Sequence, residues 1–199
     1  MNAVKIVFKE GWKIERPETE LDAFAKRFIK CLGQARVNYV IVSGYVSILF
    51  GRSRNSEDID LFIEADEEKF VELWRAASPY FECINALEQE AFNDYLNNGI
   101  ALRFAERNKA IPNMEVKLAK TDLDEWSLKN AEVIQFNGTP IRVSPLELQI
   151  AFKLFLGSDK DFEDARHLWL VTKSHLNKMR LQGFFARLNV FKEANEWLK

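Results

Sequence analysis

The sequence is poor in the residues that extracellular, zinc-binding and membrane-spanning chains depend on. Among 199 residues there are two cysteines, Cys31 and Cys83, and two histidines, His167 and His175. The cysteines form no CxxC pair, and histidines at positions 167 and 175 do not fall on adjacent turns of one helix, so no zinc centre is expected. Thiol catalysis is not expected either, because Cys31 sits in an amphipathic helical pattern where cysteine packs as a small hydrophobe. Long apolar runs are also missing. The longest, Tyr39 to Phe50, is interrupted by Ser43 and Gly44 and falls short of the roughly 20 residues a spanning helix needs. Met1-Asn2-Ala3-Val4-Lys5 has no apolar centre of a signal peptide, so the expected location is cytoplasmic, with no membrane partner. A formal net charge of -2 exerts no overall pull on a polyanion, although it allows a local basic patch.

What is present describes an ordered globule. The hydrophobic fraction is 47%, with sixteen phenylalanines and five tryptophans, enough for a real core in one domain or one domain with a helical appendage. Val4 to Phe8 and Trp12 to Ile14 read as a hairpin turning at Glu10-Gly11. Leu21, Phe24, Phe28 and Leu32 mark one face of a helix. Val37 to Val42 is a buried strand, Tyr45 to Phe50 a short helix, and Asp58 to Glu64 an alternating strand. Phe70, Leu73 and Trp74 mark another helix, Tyr80 to Ile84 a short strand, and a further helix runs to about Leu96 before Asn97-Asn98-Gly99. Two half-covered strands come next, around Ile100–Phe104 and Met114–Leu118. A hairpin turns at Asn137-Gly138. Ser144-Pro145-Leu146-Glu147 has the pattern of a capping box opening a helix, and Gly157-Ser158 ends that helix before another starts at Asp159. These elements predict a mixed-sheet α/β (α+β) core over residues 1–143 with a helical part over 144–199 packed on it.

The chemistry concentrates in Val42-Ser43-Gly44-Tyr45 and Arg54-Asn55-Ser56-Glu57-Asp58-Ile59-Asp60. A buried strand ends in a small-residue turn that allows close approach of backbone to a ligand, and the helix after it presents N–H groups suited to phosphate. The next strand carries two carboxylates on one face, roughly 6–7 Å apart. Such a pair suits Mg²⁺ (or Mn²⁺), a hard ion that leaves positions open for triphosphate oxygens.

On these residues the chain resembles the nucleotidyltransferase superfamily, which includes DNA polymerase beta, the kanamycin nucleotidyltransferases and the AbiEii-type and MenT-type toxins. The superfamily pattern is a hydrophobic strand, Gly-Gly or Gly-Ser, a short helix, then Asp-x-Asp. The nearest resemblance is to AbiEii-like members, with Gly-Gly-Tyr-Ala and Arg-x-Thr/Ser-x-Asp-hydrophobic-Asp; here Ser43 stands at the first glycine. A second match lies about a hundred residues on, where Lys153 is followed by Lys160-Asp161-Phe162-Glu163-Asp164.

The resemblance implies transfer of a nucleoside monophosphate from a nucleoside triphosphate to a hydroxyl acceptor: an RNA end, a protein hydroxyl or a small molecule. It implies metal on Asp58 and Asp60, phosphate on Ser43 and Gly44, triphosphate contacts from Arg54 and Ser56, and charge neutralisation by Lys153, which with Asp161 projects into the same nucleotide-binding cleft as Asp58 and Asp60. Glu115 is the candidate third carboxylate and general base.

Each residue also has a plain structural reading. Asp-x-Asp suits a solvated strand face, and ordinary strand alternation accounts for Glu115. Asp161 suits the first turn of a helix capped by Asp159. Lys153, following a phenylalanine expected on the buried face, suits the surface. The same residues therefore leave open a catalytically degenerate module that binds nucleotide or a partner protein, and an α/β interaction protein with a merely solvated polar face.

Overall fold

The computed structural model describes residues 4–199. Among the described residues nine strands form one mixed sheet: β1 (Lys5–Phe8), β2 (Trp12–Glu15), β3 (Asn38–Ile41), β4 (Asp58–Glu64), β5 (Phe81–Cys83), β6 (Leu102–Glu106), β7 (Asn113–Leu118), β8 (Glu132–Phe136) and β9 (Thr139–Val143). Their order across the sheet is β1-β2-β8-β9-β3-β4-β7-β6-β5. The central trio, β3, β4 and β7, positions the acidic residues. β3 and β4 are antiparallel, with Ile41 opposite Leu61, and β4 and β7 are parallel, with Asp60 opposite Glu115. Along β4, Ile59, Leu61 and Ile63 are buried while Asp58 and Glu64 are exposed, the period-two pattern of a strand covered on one side.

The first helix, α1 (Glu20–Gln34), starts at a capping box in which Thr19 accepts from the Asp22 N–H and Asp22 accepts from the Thr19 N–H. Asp22 has no exposed surface and is held by both Arg16 nitrogens at 2.6 and 2.8 Å. The hydroxyl of Tyr45 also donates to it, at 2.9 Å. Tyr45 belongs to α2 (Gly44–Leu49), so a buried, charge-assisted bond ties that short helix to α1. At the other end of α2, His167 Nε2 lies 2.9 Å from the Phe50 carbonyl oxygen.

The remaining helices are α3 (Glu67–Ala77), α4 (Glu88–Glu90), α5 (Asp122–Lys129), α6 (Leu146–Leu156), α7 (Asp159–Thr172), α8 (Lys178–Leu188) and α9 (Phe191–Trp197). The sheet ends at Val143 and the chain beyond it is helical. No helix among the described residues is long and apolar enough to cross a membrane.

Four local expectations are corrected. The expected helix running to Leu96 is broken: α4 passes into a π turn over Ala91–Tyr95 and a 3₁₀ turn over Leu96–Asn98. Helix α5 is not among the expected elements; its face is short, and its signal is the Thr121/Asp124 capping box. The capping box expected at Ser144 is not formed, because the cap is Pro145. Glu147 instead accepts from the Asn177 N–H at 2.7 Å and pairs with Arg180 at 2.7 Å, joining α6 to α8. The cap of α7 is Ser158, which accepts from the Asp161 N–H, and Asp159 lies inside the first turn.

Candidate functional site

The turn after β3 is set by two bonds. The Val42 N–H donates to the Asp60 carbonyl at 3.0 Å, which fixes the turn beside the acidic strand. The Ser43 N–H donates to Gln149 Oε1 of α6 at 2.8 Å. Gln149 is buried, and nothing in its sequence neighbourhood marks it, since it sits in an apolar helix and acts on a residue more than a hundred positions away. With that N–H committed, a phosphate contact from Ser43 falls to its hydroxyl. Ser43 itself has φ 61° and ψ -136°, a region that side chains with a Cβ rarely enter and that costs about 1–3 kcal/mol. The resemblance places glycine at this position, and the backbone supplies the reason.

Gly44 is small for a second reason. A Cβ there would lie 3.0 Å from Cζ of Arg54 and closer still to Nη2. Arg54 is one-tenth exposed and packs its guanidinium over the turn, with Nη2 3.2 Å from Asp164 Oδ2. Asp164 has no exposed surface, and Lys153 Nζ stands 2.9 Å from the same oxygen and 2.9 Å from Asp161 Oδ1. Arg52 pairs with Glu163 and approaches Asp164 at 3.6 Å. The Asp164 contacts lack hydrogen-bond alignment, so charge holds this carboxylate. For Asp161, burial would raise the carboxyl, but Lys153 and Ser158 outweigh it and hold it below the ordinary aspartate range.

Lys153 is thus a buried cation and not a surface lysine. It is 1% exposed, whereas Phe152 is 37% exposed, the reverse of what the sequence pattern leads one to expect. An apolar helix such as α6 hides a lysine when two carboxylates receive it.

The acidic face lies on the other side of the turn. Ser56 donates to Asp58 Oδ1 at 3.2 Å, orienting that carboxylate. Glu115 faces Asp60 across the β4–β7 register. Arg103 of β6 binds Glu115 Oε1 at 2.8–2.9 Å. Lys117, which no motif marks, places its ammonium 3.3 Å from Asp60 Oδ1 and 3.2 Å from Glu115 Oε2. Its signal is simple alternation: two residues after Glu115, on the same face.

Burial raises the Asp60 carboxyl; Lys117 pulls it back, while Glu115 and Asp58 push it up, and the net is upward. For Glu115, burial is outweighed by Lys117 and Arg103, which hold it ionised below its usual range. The Lys117 ammonium is lowered by burial but raised more by its two carboxylates.

A cavity of about 270 Å³ opens between β4, α5 and α6. Ser43, Asp60 and Lys117 line one side, and Leu123, Ser127, Leu148 and Phe152 are among the residues on the others. Ser127 and Ser144 are buried at its wall, and neither Oγ has a hydrogen-bond partner among the described residues. Lys153 and Asp161 do not line it. Through Asp164 and Arg54 they reach Gly44, the neighbour of the cavity-lining Ser43.

Asp58 and Asp60 are hard oxygen donors, adjacent on one face and mutually repelling, and this donor set fits a single divalent ion. Glu115 does not complete a cage: among the described residues no three acidic, histidine or cysteine side chains converge to hold a metal.

No family profile and no curated protein matches the sequence. Solved structures are similar in fold. An antigenic nucleotidyltransferase-like protein from Paracoccidioides brasiliensis is 16% identical, with a TM-score of 0.55 over 92% of this chain and 94% of that one. ANT(2")-Ia in complex with adenylyl-2"-tobramycin is 17% identical, with a TM-score of 0.58 over 86% of this chain and 98% of that one. The lincosamide antibiotic adenylyltransferase LnuA, with lincomycin bound, is 14% identical, with a TM-score of 0.53 over 79% of this chain and all of that one. Identities this low carry the architecture alone, and the architecture is that of a nucleotidyltransferase fold.

Proposed function

We propose that this chain transfers a nucleoside monophosphate from a nucleoside triphosphate to a hydroxyl acceptor. The carrying observation is that Asp58 and Asp60 share one face of β4, with Asp60 bonded to the turn at Val42 and lining the cavity together with Ser43. Asp58 and Asp60 would hold Mg²⁺ or Mn²⁺. A bound ion of this kind neutralises charge on the phosphates as the α-phosphate is attacked and pyrophosphate leaves. Ser43 offers its hydroxyl to phosphate, and Ser56 keeps Asp58 aimed at the site. Lys153, itself paired with Asp161, acts from behind, holding Asp164 and through it Arg54, which packs on Gly44. Positioning of this kind, with little covalent work by the protein, is what phosphoryl-transfer catalysis requires.

The acceptor belongs to one of three classes: an RNA end or a protein hydroxyl, as the resemblance to AbiEii-like and MenT-like proteins suggests, or a small molecule. The antibiotic-modifying folds that this chain is similar to make small-molecule hydroxyls the first class to screen. A degenerate module that binds nucleotide without turnover is the second reading, favoured by the engagement of Glu115 with Arg103 and Lys117. Calorimetric titration of ATP and GTP with and without Mg²⁺, and then an assay of pyrophosphate release, tests both. Metal-dependent binding with release supports the enzyme, binding without release the module, and no binding overturns both.

A further inference from the structure

Across the middle of the sheet, four charged side chains from three strands form a row of alternating sign: Asp60, Lys117, Glu115, Arg103. The row is a product of register. Parallel pairing sets Asp60 opposite Glu115, antiparallel pairing sets Arg103 opposite Glu115, and a period of two brings Lys117 to the same face.

We infer that Lys117 is a built-in cation at this site, so that the site takes one divalent ion, on Asp58 and Asp60, where two ions would otherwise share the three carboxylates. The inference rests on the nucleotidyl-transfer reading and deepens it. Its first support is an oxygen count. Glu115 has Oε1 on Arg103 and Oε2 on Lys117, and Asp60 has Oδ1 on Lys117. What is left is the second oxygen of Asp60 together with Asp58, whose only side-chain partner among the described residues is the Ser56 hydroxyl. That is a donor set for one ion.

The second support is spacing. Ions in a two-metal site stand about 3.5–4 Å apart, and a bridging ion between Asp60 and Glu115 would need the space that the ammonium fills at 3.3 and 3.2 Å. Opposite Asp58 the β7 residue is Asn113, which is neutral, so the partner strand adds no further charge at that end. An exposed lysine–carboxylate pair would mean little. This one is held from both sides: Glu115 is 13% and Asp60 25% exposed at the side chain, and Lys117 and Asp60 both face the cavity. Glu115 is then a positioning residue that anchors Lys117.

Counting bound Mn²⁺ by equilibrium dialysis and electron paramagnetic resonance tests this without a nucleotide or turnover. Wild type should bind one ion per chain. Lys117→Met, a change at a side chain 36% exposed that keeps the aliphatic stem, should bind two, and shared carboxylates should give the spin coupling of neighbouring ions. Lys117→Arg keeps the charge and should remain at one; two ions there would overturn the inference. One ion in both wild type and Lys117→Met would also overturn it while leaving the proposed activity standing. No ion in either protein would overturn the metal reading of Asp58 and Asp60, and the inference with it. A circular-dichroism melt of each variant confirms that the counts refer to folded protein.

Discussion

Lys153 Nζ stands 2.9 Å from Asp164 Oδ2, a carboxylate with no exposed surface. Arg54 Nη2 approaches the same oxygen at 3.2 Å. One buried carboxylate therefore couples the helical part of the chain to the turn at the end of the central strand β3. Without Lys153, Asp164 keeps only the two arginines and Asp161 only the Ser158 hydroxyl among the described residues, and removing the nearest cation from buried carboxylates costs up to about 3–5 kcal/mol. Lys153→Ala should lower the unfolding free energy in urea by about that amount. A loss below about 1 kcal/mol would show that the cluster is solvated.

Gly44 sits under the Arg54 guanidinium, so Gly44→Val should destabilise by about 1–3 kcal/mol through overpacking. Ser53→Ala, in the exposed loop nearby, should stay within about 0.5 kcal/mol of wild type. The penalty should shrink in an Arg54→Lys background, because the two sites share one space. Additive losses in a double-mutant cycle would show that Arg54 is not what the side chain meets.

At Ser43 the sign is opposite. The backbone there suits glycine, and Ser43→Gly relieves strain of about 1 kcal/mol or more, less a few tenths to about 1 kcal/mol of unfolded-chain entropy. Stability should hold or rise, whereas Ser43→Ala keeps the strain and should not rise. If the hydroxyl contacts phosphate, both variants lose triphosphate affinity together.

Asp60 gives a pH dependence. Its folded carboxyl lies above the ordinary value of 3.8, chiefly through burial. An aspartate raised on folding costs stability once it ionises at neutral pH, and the cost fades as pH falls toward 3.8. Asp60→Asn should therefore be at least as stable as wild type at pH 7, with the difference shrinking in acid, while Mg²⁺-dependent nucleotide binding is lost. Melting curves across pH and a nucleotide titration check the two halves separately. A less stable variant at pH 7 would mean that the bond to Lys117 outweighs burial.

Much of this site is legible in the linear sequence because it obeys local rules. Alternation puts Asp58 and Asp60 on one face, and small residues mark the turn before them. Residues that act across the chain are harder to read. Gln149 fixes Ser43, and Asp164 fixes Arg54, from helices more than a hundred residues away, and no periodicity announces either. Lys153 misleads because its apolar neighbours imply exposure for the one basic residue among them, whereas two carboxylates bring it inside. Glu147 misleads in the same way: its spacing from Ser144 suits a cap, but a tertiary bond to Arg180 takes it.

The serines in the cavity wall separate binding from folding. Ser127 is 2% exposed and Ser144 is fully buried, and neither hydroxyl has a partner among the described residues. A buried hydroxyl without a partner is a cost to the fold, so removing it should leave stability unchanged or raise it. Ser127→Ala and Ser144→Ala should accordingly melt at or above the wild-type temperature. A planar base entering the cavity from the Ser43 side would meet Leu148 and Phe152 with its faces and the hydroxyls with its edge, gaining about 0.5–1.5 kcal/mol per hydrogen bond. Each alanine variant should then weaken binding of the preferred triphosphate about two- to ten-fold, and inorganic triphosphate, which has no base, should be unaffected. Calorimetry with both ligands decides it. Equal losses for the two ligands would place the serines' effect on the phosphate end, and no loss for either would mean that the base does not lie against this wall.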